Sequence, residues 1–528
     1  MSDDNLNKES GLKNSKDIIA DENEPKILST KNIKSYLLVL GVLLGIVALY
    51  YLLYNIISGP TIGGPPVGPP PVASTLSLFS NSFSISFNQP SYGGGGIGLD
   101  IWPLWGQFTI PTVFGIIICV LIFLIFAFSL IYFYRKRERN PPLILITIVG
   151  IILIMGTNLI HGWIIGIIMP IGGSSEILTD AVNIENMFSF IMNFEELQST
   201  LSVHAQTQPP GAVLIIYLLY LIFRTPGLIA IALCAIATII SVYFINGIFR
   251  RIFDKKLSYY TIFLFLLLPA IQVYFLANIY AIVASLLFGV VYFYLHPNRK
   301  MRYIGTACCV FLLSFLTFLF VYVLIFLFLY DILKAYRDNF FKKSSVKKNG
   351  ILIWVKDLLI RGQTLIIMAT SLVIIYGLFI LIGFNYITAF LYASSSTSGF
   401  TLLSNPLNYF VTRIQNVLDI LIFFGPILLV LCYRGIKNLK GDSQRESNIS
   451  NTYLLVISAI LALIILFLAG APNKGETARI CMFILPFLLI PVTYNLQKEN
   501  YSQLEKVKLL IIVFGQTLLF QLMVIWVW

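Results

Sequence analysis

The chain consists of long apolar blocks separated by short polar segments. Most blocks are close to the roughly 20 residues that a helix needs to cross a hydrocarbon core about 30 Å thick, and none alternates like the strands of a membrane β-barrel. The pattern therefore predicts an all-α, polytopic membrane protein. The predicted spans are Tyr36–Ile57, Ile110–Tyr134, Leu143–Met169, Leu228–Phe249, Leu257–Tyr274, Ala277–Leu295, Thr364–Gly383, Val417–Tyr433, Tyr453–Leu468, Ile480–Leu496 and Leu509–Trp528.

One further block, Tyr303–Tyr330, has basic clusters on both sides, with Arg302 before it and Lys334 after it. Because Lys and Arg accumulate in cytoplasmic loops, both of its ends are expected on the cytoplasmic side. The block is therefore predicted to be a pair of short, tilted or partly re-entrant helices, and one long helix is the alternative. With this pair counted as two, the chain has about 13 predicted transmembrane helices.

The segment HAQTQPPGAVLIIYLLYLIFRTP, residues 204–226, contains an apolar run of only 12 residues, Ala212–Phe223. As a helix this run is about 18 Å long, too short to cross the hydrocarbon core. If it stays on the outer face, almost all of the 36 Lys and Arg residues fall on the cytoplasmic side. We therefore predict an interfacial or re-entrant helix on the outer face, a cytoplasmic N-terminus and a location in the cell membrane. The exceptions on the outer side are Arg224, Arg413, Lys474 and Arg479.

Composition agrees with a membrane protein, since 58% of residues are hydrophobic and only 11% are charged, against roughly 25% charged in soluble domains. The net charge of +12 follows from the basic loops, so no nucleic-acid partner is expected. The six cysteines lie inside apolar blocks, without the spacing of a zinc site. Three regions are predicted: a disordered cytoplasmic tail at 1–35, a two-helix appendage with a Gly/Pro-rich external linker at 36–142, and a membrane core at 143–528.

Polar chemistry collects in the predicted outer region 171–226. Three carboxylates, Glu176, Asp180 and Glu185, lie within ten residues of one another there. The following segment, 183–201, has a helical stripe of apolar residues and is predicted to lie flat on the membrane. His204 and Gln208 come next.

The distant outer turn GAPNKGETARI, residues 470–480, adds Glu476 and Arg479. Carboxylates and guanidinium groups from separate parts of the chain thus reach one side of the bilayer, as binding of a lipid-linked anion requires. Each group also has an ordinary structural explanation. Asp180 can be a solvated loop acid, Glu476 and Arg479 a helical i,i+3 pair, and His204 a partner for a backbone group.

The order of these features resembles that of the GT-C glycosyltransferases, which include the protein O-mannosyltransferases and the lipid A aminoarabinose transferase. The matching parts are an acid early in a long outer loop (Asp180), a surface helix, the HAQTQPPG of 204–211, and a short apolar run that ends at Arg224. The GETARI turn at 475–480 is similar to a turn in a subgroup of GT-C-like membrane proteins. The resemblance covers roughly residues 143–500.

The resemblance implies transfer of a sugar from a polyprenyl-phosphate donor to a glycan, lipid or protein acceptor on the outer face. A carboxylate takes the proton of the acceptor, and arginines neutralise the leaving phosphate. The expected base is Asp180, with Glu185 and Glu176 as rivals. The expected substrate-binding residues are His204, Gln208, Arg224, Glu476 and Arg479. No metal or other cofactor is expected, because Asn278 stands where many members keep a metal-binding acid.

Two other classes of function compete with this one. A transporter would also have many helices and polar residues inside the membrane, such as Asn158 and His161. The absence of an internal repeat and the position of the charged cluster on the outer surface both count against it. A scaffold or lipid-handling protein without chemistry is the third class.

Overall fold

A computed structural model of the chain covers most of the predicted core and the helix before it. The residues that the structure describes are 33–39, 41–42, 106–135, 141–173, 176–342, 371–373, 376–377, 379–396, 402, 406–472 and 476–526. Most of the predicted tail, the Gly/Pro-rich linker, most of the predicted span Tyr36–Ile57 and half of the predicted span Thr364–Gly383 lie outside these residues.

The first half of the described chain is helical. Its helices are α1 (Val113–Arg135), α2 (Leu143–Leu159), a π-helix (Ile164–Ile168), α3 (Met169–Gly172), α4 (Ile177–Ala181), α5 (Met187–Met192), α6 (Phe194–Leu197), a 3₁₀ turn (Gln198–Thr200), α7 (Val203–Gln206), α8 (Pro210–Phe223), α9 (Pro226–Phe249), α10 (Lys255–Leu266) and α11 (Pro269–Tyr274).

The second half is helical as well and ends in a short strand. It contains α12 (Ile279–Tyr294), α13 (Arg299–Leu316), α14 (Phe320–Lys342), α15 (Tyr386–Ser396), α16 (Pro406–Phe424), α17 (Pro426–Asp442), α18 (Ser447–Leu468), α19 (Thr477–Ile480), a 3₁₀ turn (Met482–Ile484), α20 (Leu485–Lys498) and α21 (Gln503–Met523). Among the described residues there is one sheet, in which β1 (Gly106–Phe108) pairs antiparallel with β2 (Val524–Trp526). The all-α prediction is therefore confirmed.

The predicted number of spans is not supported. Within the described residues, four helices are long and apolar enough to cross a membrane, namely α1, α9, α18 and α21. A fifth results if α16 and α17, which are bent by 98°, count as one span. Other predicted blocks are broken into shorter helices. The block Leu143–Met169 is interrupted after Leu159 near Gly162, which has a φ of +84°, and Pro269 starts a new helix inside the block Leu257–Tyr274.

The block at 303–330 forms two helices, as the sequence predicts. Helix α13 ends at Leu316 and α14 begins at Phe320. Arg302 at the start of α13 and Lys334 in the second half of α14 line the same cavity. The chain therefore runs into the bundle and returns to the end from which it came.

Both ends of α8 lie at one end of the bundle. Gln208, just before α8, and Ile216 in its middle line a small cavity together with Pro170 and Ile171. After α8, Pro226 lies against Gly172, where a Cβ atom would be 3.7 Å from the Pro226 Cβ. Helix α8 therefore lies across this end of the molecule instead of running through it.

Side chains from distant loops meet at two ends of the bundle. Glu176, His204 and Arg479 meet at the end that carries α8. Basic residues from five predicted inner loops line a single cavity at the other end: Arg251, Arg302, Lys334, Arg445 and Lys498. The described loops that line these two cavities are thus grouped as in the predicted topology. Helix α12 joins the two ends, since Tyr280 lines the first cavity and Tyr294 the second.

Close packing of α17 on α20 requires a glycine. A Cβ atom at Gly435 would lie 1.9 Å from the carbonyl oxygen of Pro491, so alanine must push the two helices apart. We expect Gly435→Ala to destabilise the protein by about 1–3 kcal/mol, measured as a lower midpoint of thermal unfolding in detergent. Gly441→Ala, in the same helix with nothing within 4 Å of the new methyl group, is the matched control. Equal midpoints for the two variants would contradict the expected clash.

Candidate functional site

A small polar cavity lies where the start of α12 meets the loops around α4, α7 and α19. We call it the Glu176 site and define it by the lining residues Glu176, His204, Gln208, Asn278, Tyr280 and Arg479. Its volume is about 30 Å³, enough for one or two water molecules or for the oxygens of a single anionic group.

Local chain geometry fixes three of these residues. Pro210 is the first residue of α8, a position that suits proline because its missing N–H has no helical partner. Gln208 is therefore held immediately before a helix start. Asn278 caps α12, because its Oδ1 accepts a hydrogen bond from Tyr280 N at 2.9 Å. The cap places both Asn278 and Tyr280 at the cavity wall.

Glu176 and His204 form the first pair of the site. Glu176 Oε1 lies 3.4 Å from His204 Nε2, and both side chains are mostly buried. Burial raises the pKa of Glu176 to about 7, although the nearby Arg479 opposes the shift. Burial and the positive charge of Arg479 lower the pKa of His204 to about 4. At neutral pH the histidine is thus uncharged and the glutamate is poised to take up or release a proton.

Glu476 and Arg479 form the second pair. Arg479 Nη2 lies 2.9 Å from Glu476 Oε2, and the arginine side chain is only 7% exposed. Although burial alone raises the pKa of Glu476, Arg479 and His204 lower it below its ordinary value. Burial likewise lowers the pKa of Arg479, but Glu476 above all raises it above the ordinary value. Both members are therefore charged at neutral pH.

Tyr280 connects the two sides of the site. Its hydroxyl accepts a hydrogen bond from Gln208 Nε2, and the Arg479 guanidinium lies 5.9 Å from its ring centroid. A cation over an aromatic face is stabilised when both groups are withdrawn from water. The arginine is therefore held in place by Glu476 on one side and by Tyr280 on the other.

Three buried polar atoms at the cavity lack a protein partner. Among the residues that the structure describes, Gln208 Oε1, Asn278 Nδ2 and Arg479 Nε make no hydrogen bond. Their residues are only 5%, 7% and 6% exposed, respectively. Because an unsatisfied buried polar group costs roughly 1–3 kcal/mol, a cavity with two such donors and one acceptor suits a polar ligand.

Asp180, the base expected from sequence, lies outside the residues that line this cavity. Its Oδ1 and Oδ2 accept hydrogen bonds from Ser202 N at 3.0 and 3.1 Å. The carboxylate thus closes the loop between α4 and α7. Burial raises the pKa of Asp180, and the bonds from Ser202 oppose the shift. Of the three candidate acids, Glu176 is the one that lines the cavity.

The other predicted site residues divide into two groups. His204, Gln208, Glu476 and Arg479 converge as the sequence predicts. Glu185 is exposed and is not among the residues that line the cavity. Arg224 is exposed at the far end of α8, about 20 Å along the helix from Pro210, with its guanidinium over the Tyr220 ring.

The predicted surface helix at 183–201 is replaced by shorter pieces. Helices α5 and α6 are separated at Asn193, and a 3₁₀ turn follows. Phe190, Ile191 and Phe194 are buried, whereas Phe188 of the predicted stripe is 68% exposed. The predicted continuous helix is therefore wrong: the segment forms two short helices and a 3₁₀ turn.

Two residues that support the site were not singled out as binding residues from sequence. Tyr280 belongs to the turn YFLANIY, between two apolar blocks, which is the signal that could have identified it. Asp419 is 2% exposed in α16. Its Oδ2 accepts a hydrogen bond from Ala478 N at 2.7 Å, which positions the helix that carries Arg479.

A comparison with protein-family models and with curated proteins finds no match for this sequence. The fold and the site define the class of protein at a coarser level. It is an all-α protein with several helices able to span a membrane, and it carries a buried cluster of ionisable groups at one end.

Proposed function

We propose that this protein is a membrane glycosyltransferase that moves a sugar from a polyprenyl-phosphate donor to an acceptor at the Glu176 site. The observation that carries the proposal is the meeting, in one buried cavity, of a carboxyl group with a pKa of about 7 and a charged arginine with an unpaired Nε. A carboxyl group with this pKa can act as a general base near neutral pH. A charged guanidinium group with a free N–H can bind a phosphate group.

In the proposed reaction, the hydroxyl oxygen of the acceptor attacks the anomeric carbon of the donor sugar. The bond between that carbon and the phosphate oxygen breaks, and polyprenyl phosphate leaves with the electron pair. The proton of the hydroxyl passes to Glu176, which must be deprotonated at the start. Arg479 stabilises the charge on the leaving phosphate, and neutral His204 holds the Glu176 carboxylate in position.

The membrane arrangement of this proposal is that predicted from sequence. The shorter apolar helices such as α2 and α12 add spans to those long enough by themselves, for a total of about 13. The end with the Glu176 site faces outward in the cell membrane, and the N-terminus is cytoplasmic. The collection of basic loops at the opposite end supports this orientation.

Cysteine labelling tests the position of α8. We expect Val203→Cys and Thr225→Cys, both at exposed positions, to react in intact cells with a membrane-impermeant maleimide, because α8 lies across one end of the bundle. Lys440→Cys, exposed in α17 beside the opposite end, should not react, and the exposed Cys308 is replaced by serine throughout. Labelling of Val203→Cys without Thr225→Cys would mean that α8 crosses the membrane.

A second candidate function is transport, favoured by one observation. Helices α16 and α17 form a broken pair bent by 98°, and broken helices frequently form substrate sites in transporters. Gly425 at the break has a φ of +100°, and Pro426 starts α17. The charged groups described above lie at one end of the bundle, however, where a glycosyl transfer at the membrane surface would occur.

Mass spectrometry distinguishes the two functions. Cells that lack the protein should accumulate a polyprenyl-phosphate sugar and lose one surface glycan, lipid or protein modification. Purified protein in vesicles should release free polyprenyl phosphate from that donor. If the accumulated compound instead crosses the vesicle membrane unchanged in a protein-dependent way, the protein is a transporter and the enzyme proposal is wrong.

A further inference from the structure

A second, larger cavity lies at the other end of α12. We call it the basic cavity and define it by the five cations Arg251, Arg302, Lys334, Arg445 and Lys498. Its volume is about 1150 Å³. Tyr294 lines it, and this residue is 14 positions, or about 21 Å of helix, from Tyr280 in the Glu176 site. The two cavities are therefore separate.

Most acidic side chains that line the basic cavity form hydrogen bonds or ion pairs with neighbouring side chains. Asp331 accepts a hydrogen bond from the Tyr294 hydroxyl. Asp338 pairs with Arg337 at 2.7 Å, a residue that does not line the cavity. Asp442 lies 2.6 Å from Lys498 Nζ and accepts a hydrogen bond from Tyr494. Glu446 is exposed. The ion pairs offset the charges of Asp338 and Asp442, and the Tyr294 hydroxyl stabilises that of Asp331.

The basic side chains, in contrast, are in surplus. Within the described part of the chain, Arg251, Lys334 and Arg445 form no ion pair with a carboxylate. Arg251 lies over the Tyr292 ring at 4.9 Å, and Lys334 lies 5.9 Å from the centroid of the Tyr330 ring. Their positive charges are held in place without an anion.

Arg251 and Arg302 both donate hydrogen bonds to backbone carbonyls near the end of α12. Arg251 Nη1 donates to Tyr292 O, and Arg302 Nε donates to His296 O, each at 3.0 Å. Capping of a helix C-terminus explains this position for one cation, but the positive charge of Arg302 acts unfavourably on Arg251. Partial burial lowers the pKa of Arg251, Tyr292 opposes the shift, and the neighbouring Arg302 lowers it further. An anion bound by Arg251 would offset this unfavourable interaction.

We propose that the basic cavity binds a phosphate-bearing anion, with Arg251, Lys334 and Arg445 as its cationic ligands. Guanidinium groups match phosphate oxygens with paired hydrogen bonds. The cavity is far larger than a phosphate ion, and Ile248, Leu439 and Leu455 give it an apolar wall. A phospholipid headgroup and a soluble phosphate compound share the required chemistry, and basic pockets between membrane helices are known to bind anionic headgroups. The inference does not rest on the proposed glycosyl transfer.

Native mass spectrometry and calorimetry of the full-length protein in detergent test this site. One arm titrates phosphatidylglycerol, with phosphatidylcholine as the uncharged comparison, and the other titrates inorganic phosphate. We expect Arg251→Gln/Lys334→Gln to weaken binding of phosphatidylglycerol, of phosphate or of both by at least tenfold, since two charge-assisted contacts are lost. Sensitivity in the lipid arm alone identifies a lipid site, and sensitivity in the phosphate arm alone identifies a soluble ligand.

The matched control is Lys437→Gln/Lys440→Gln, which removes two exposed charges from α17 beside the same end of the protein. It should bind both probes like the unmodified protein. The single variant Arg445→Gln, at an exposed cavity residue, serves if the double variant does not fold, and it should weaken binding about threefold to tenfold. Equal affinities of the cavity variants and the control for both probes, or no binding of either probe to the unmodified protein, would overturn the inference.

Discussion

Replacing Glu176 with glutamine should reduce the rate of sugar transfer by about 10²–10⁴-fold, the usual contribution of a general base. The substitution keeps the shape and size of the side chain but removes its basicity. Binding of the polyprenyl-phosphate donor should persist, because Arg479 and Glu476 keep their contact at 2.9 Å. The measurement is release of polyprenyl phosphate at saturating donor, together with donor affinity measured separately.

The pH profile gives this prediction a signature that a structural role would not produce. In the proposed reaction Glu176 acts as a base only when deprotonated, and burial raises its pKa to about 7. The transfer rate of the unmodified protein should therefore rise with pH through about 7 and then level off. The small residual rate of Glu176→Gln should lack this rise.

The stability of the folded protein should fall as pH rises, whereas the transfer rate should increase. Because the pKa of Glu176 is higher in the folded protein than its ordinary value of 4.5, its favourable contribution is present at low pH and is lost as pH rises through about 7. Glu176→Gln removes that loss. The variant should be more stable than the unmodified protein at pH 8, by about 2–3 kcal/mol at most, and should match it at pH 4.5. A thermal midpoint at pH 8 below that of the unmodified protein would show that the carboxylate stabilises the fold.

Asp180→Asn is the matched comparison for Glu176→Gln. Its amide oxygen can still accept the hydrogen bond from Ser202 N that Asp180 accepts now. We expect near-normal transfer and an unchanged pH profile. If Asp180→Asn loses transfer and Glu176→Gln does not, the base expected from sequence resemblance is correct and the assignment from geometry is wrong.

The comparison of these two acids shows how far sequence could define the site. Sequence placed Glu176, Asp180 and Glu185 in one outer loop but ranked them by position alone. Helix α4 begins at Ile177, and the side chains of Glu176 and Asp180 meet different neighbours on either side of that start. The contact of Asp180 with Ser202 spans 22 residues, and no local pattern predicts it.

The same distinction between local patterns and long-range contacts explains which parts of the fold were predictable. Hydrophobic block length is a local property, and it identified the helical regions. The basic clusters on both flanks of the block at 303–330 are also local, and they predicted its division into α13 and α14. The breaks at Gly162 and Gly425 depend on positive φ angles and on packing against other helices. A Cβ at Gly425, for example, would lie 2.5 Å from Gln516 Oε1. Such contacts join distant parts of the chain, so the count of full-length spans was the least predictable part of the fold.

Arg479→Gln should weaken donor binding by about ten- to a hundredfold, because a charge-assisted bond to phosphate is worth about 1.5–3 kcal/mol. Arg224→Gln is its control, since Arg224 is exposed at the far end of α8. We expect the control to bind donor normally, although sequence alone assigned both arginines to the phosphate. Equal loss in both variants would restore the sequence-based assignment, and no loss in Arg479→Gln would remove Arg479 from the site.

Loss of the Arg479 charge also leaves Glu476 without its partner. Removing one member of a buried ion pair costs about 3–5 kcal/mol of folding stability. Because the Glu476 side chain is partly exposed, the cost of Arg479→Gln should be about 3 kcal/mol or less. The cost should be larger at pH 8 than at pH 5, because Arg479 now lowers the pKa of Glu476. Without Arg479, the Glu476 carboxyl group avoids the penalty by taking up a proton, which is easier at the lower pH. The double variant Glu476→Gln/Arg479→Gln removes both charges and should recover most of the thermal midpoint. Its donor affinity should remain as low as that of Arg479→Gln, since the phosphate contact is still missing. Recovery of binding together with stability would mean that Arg479 acts only by holding the fold.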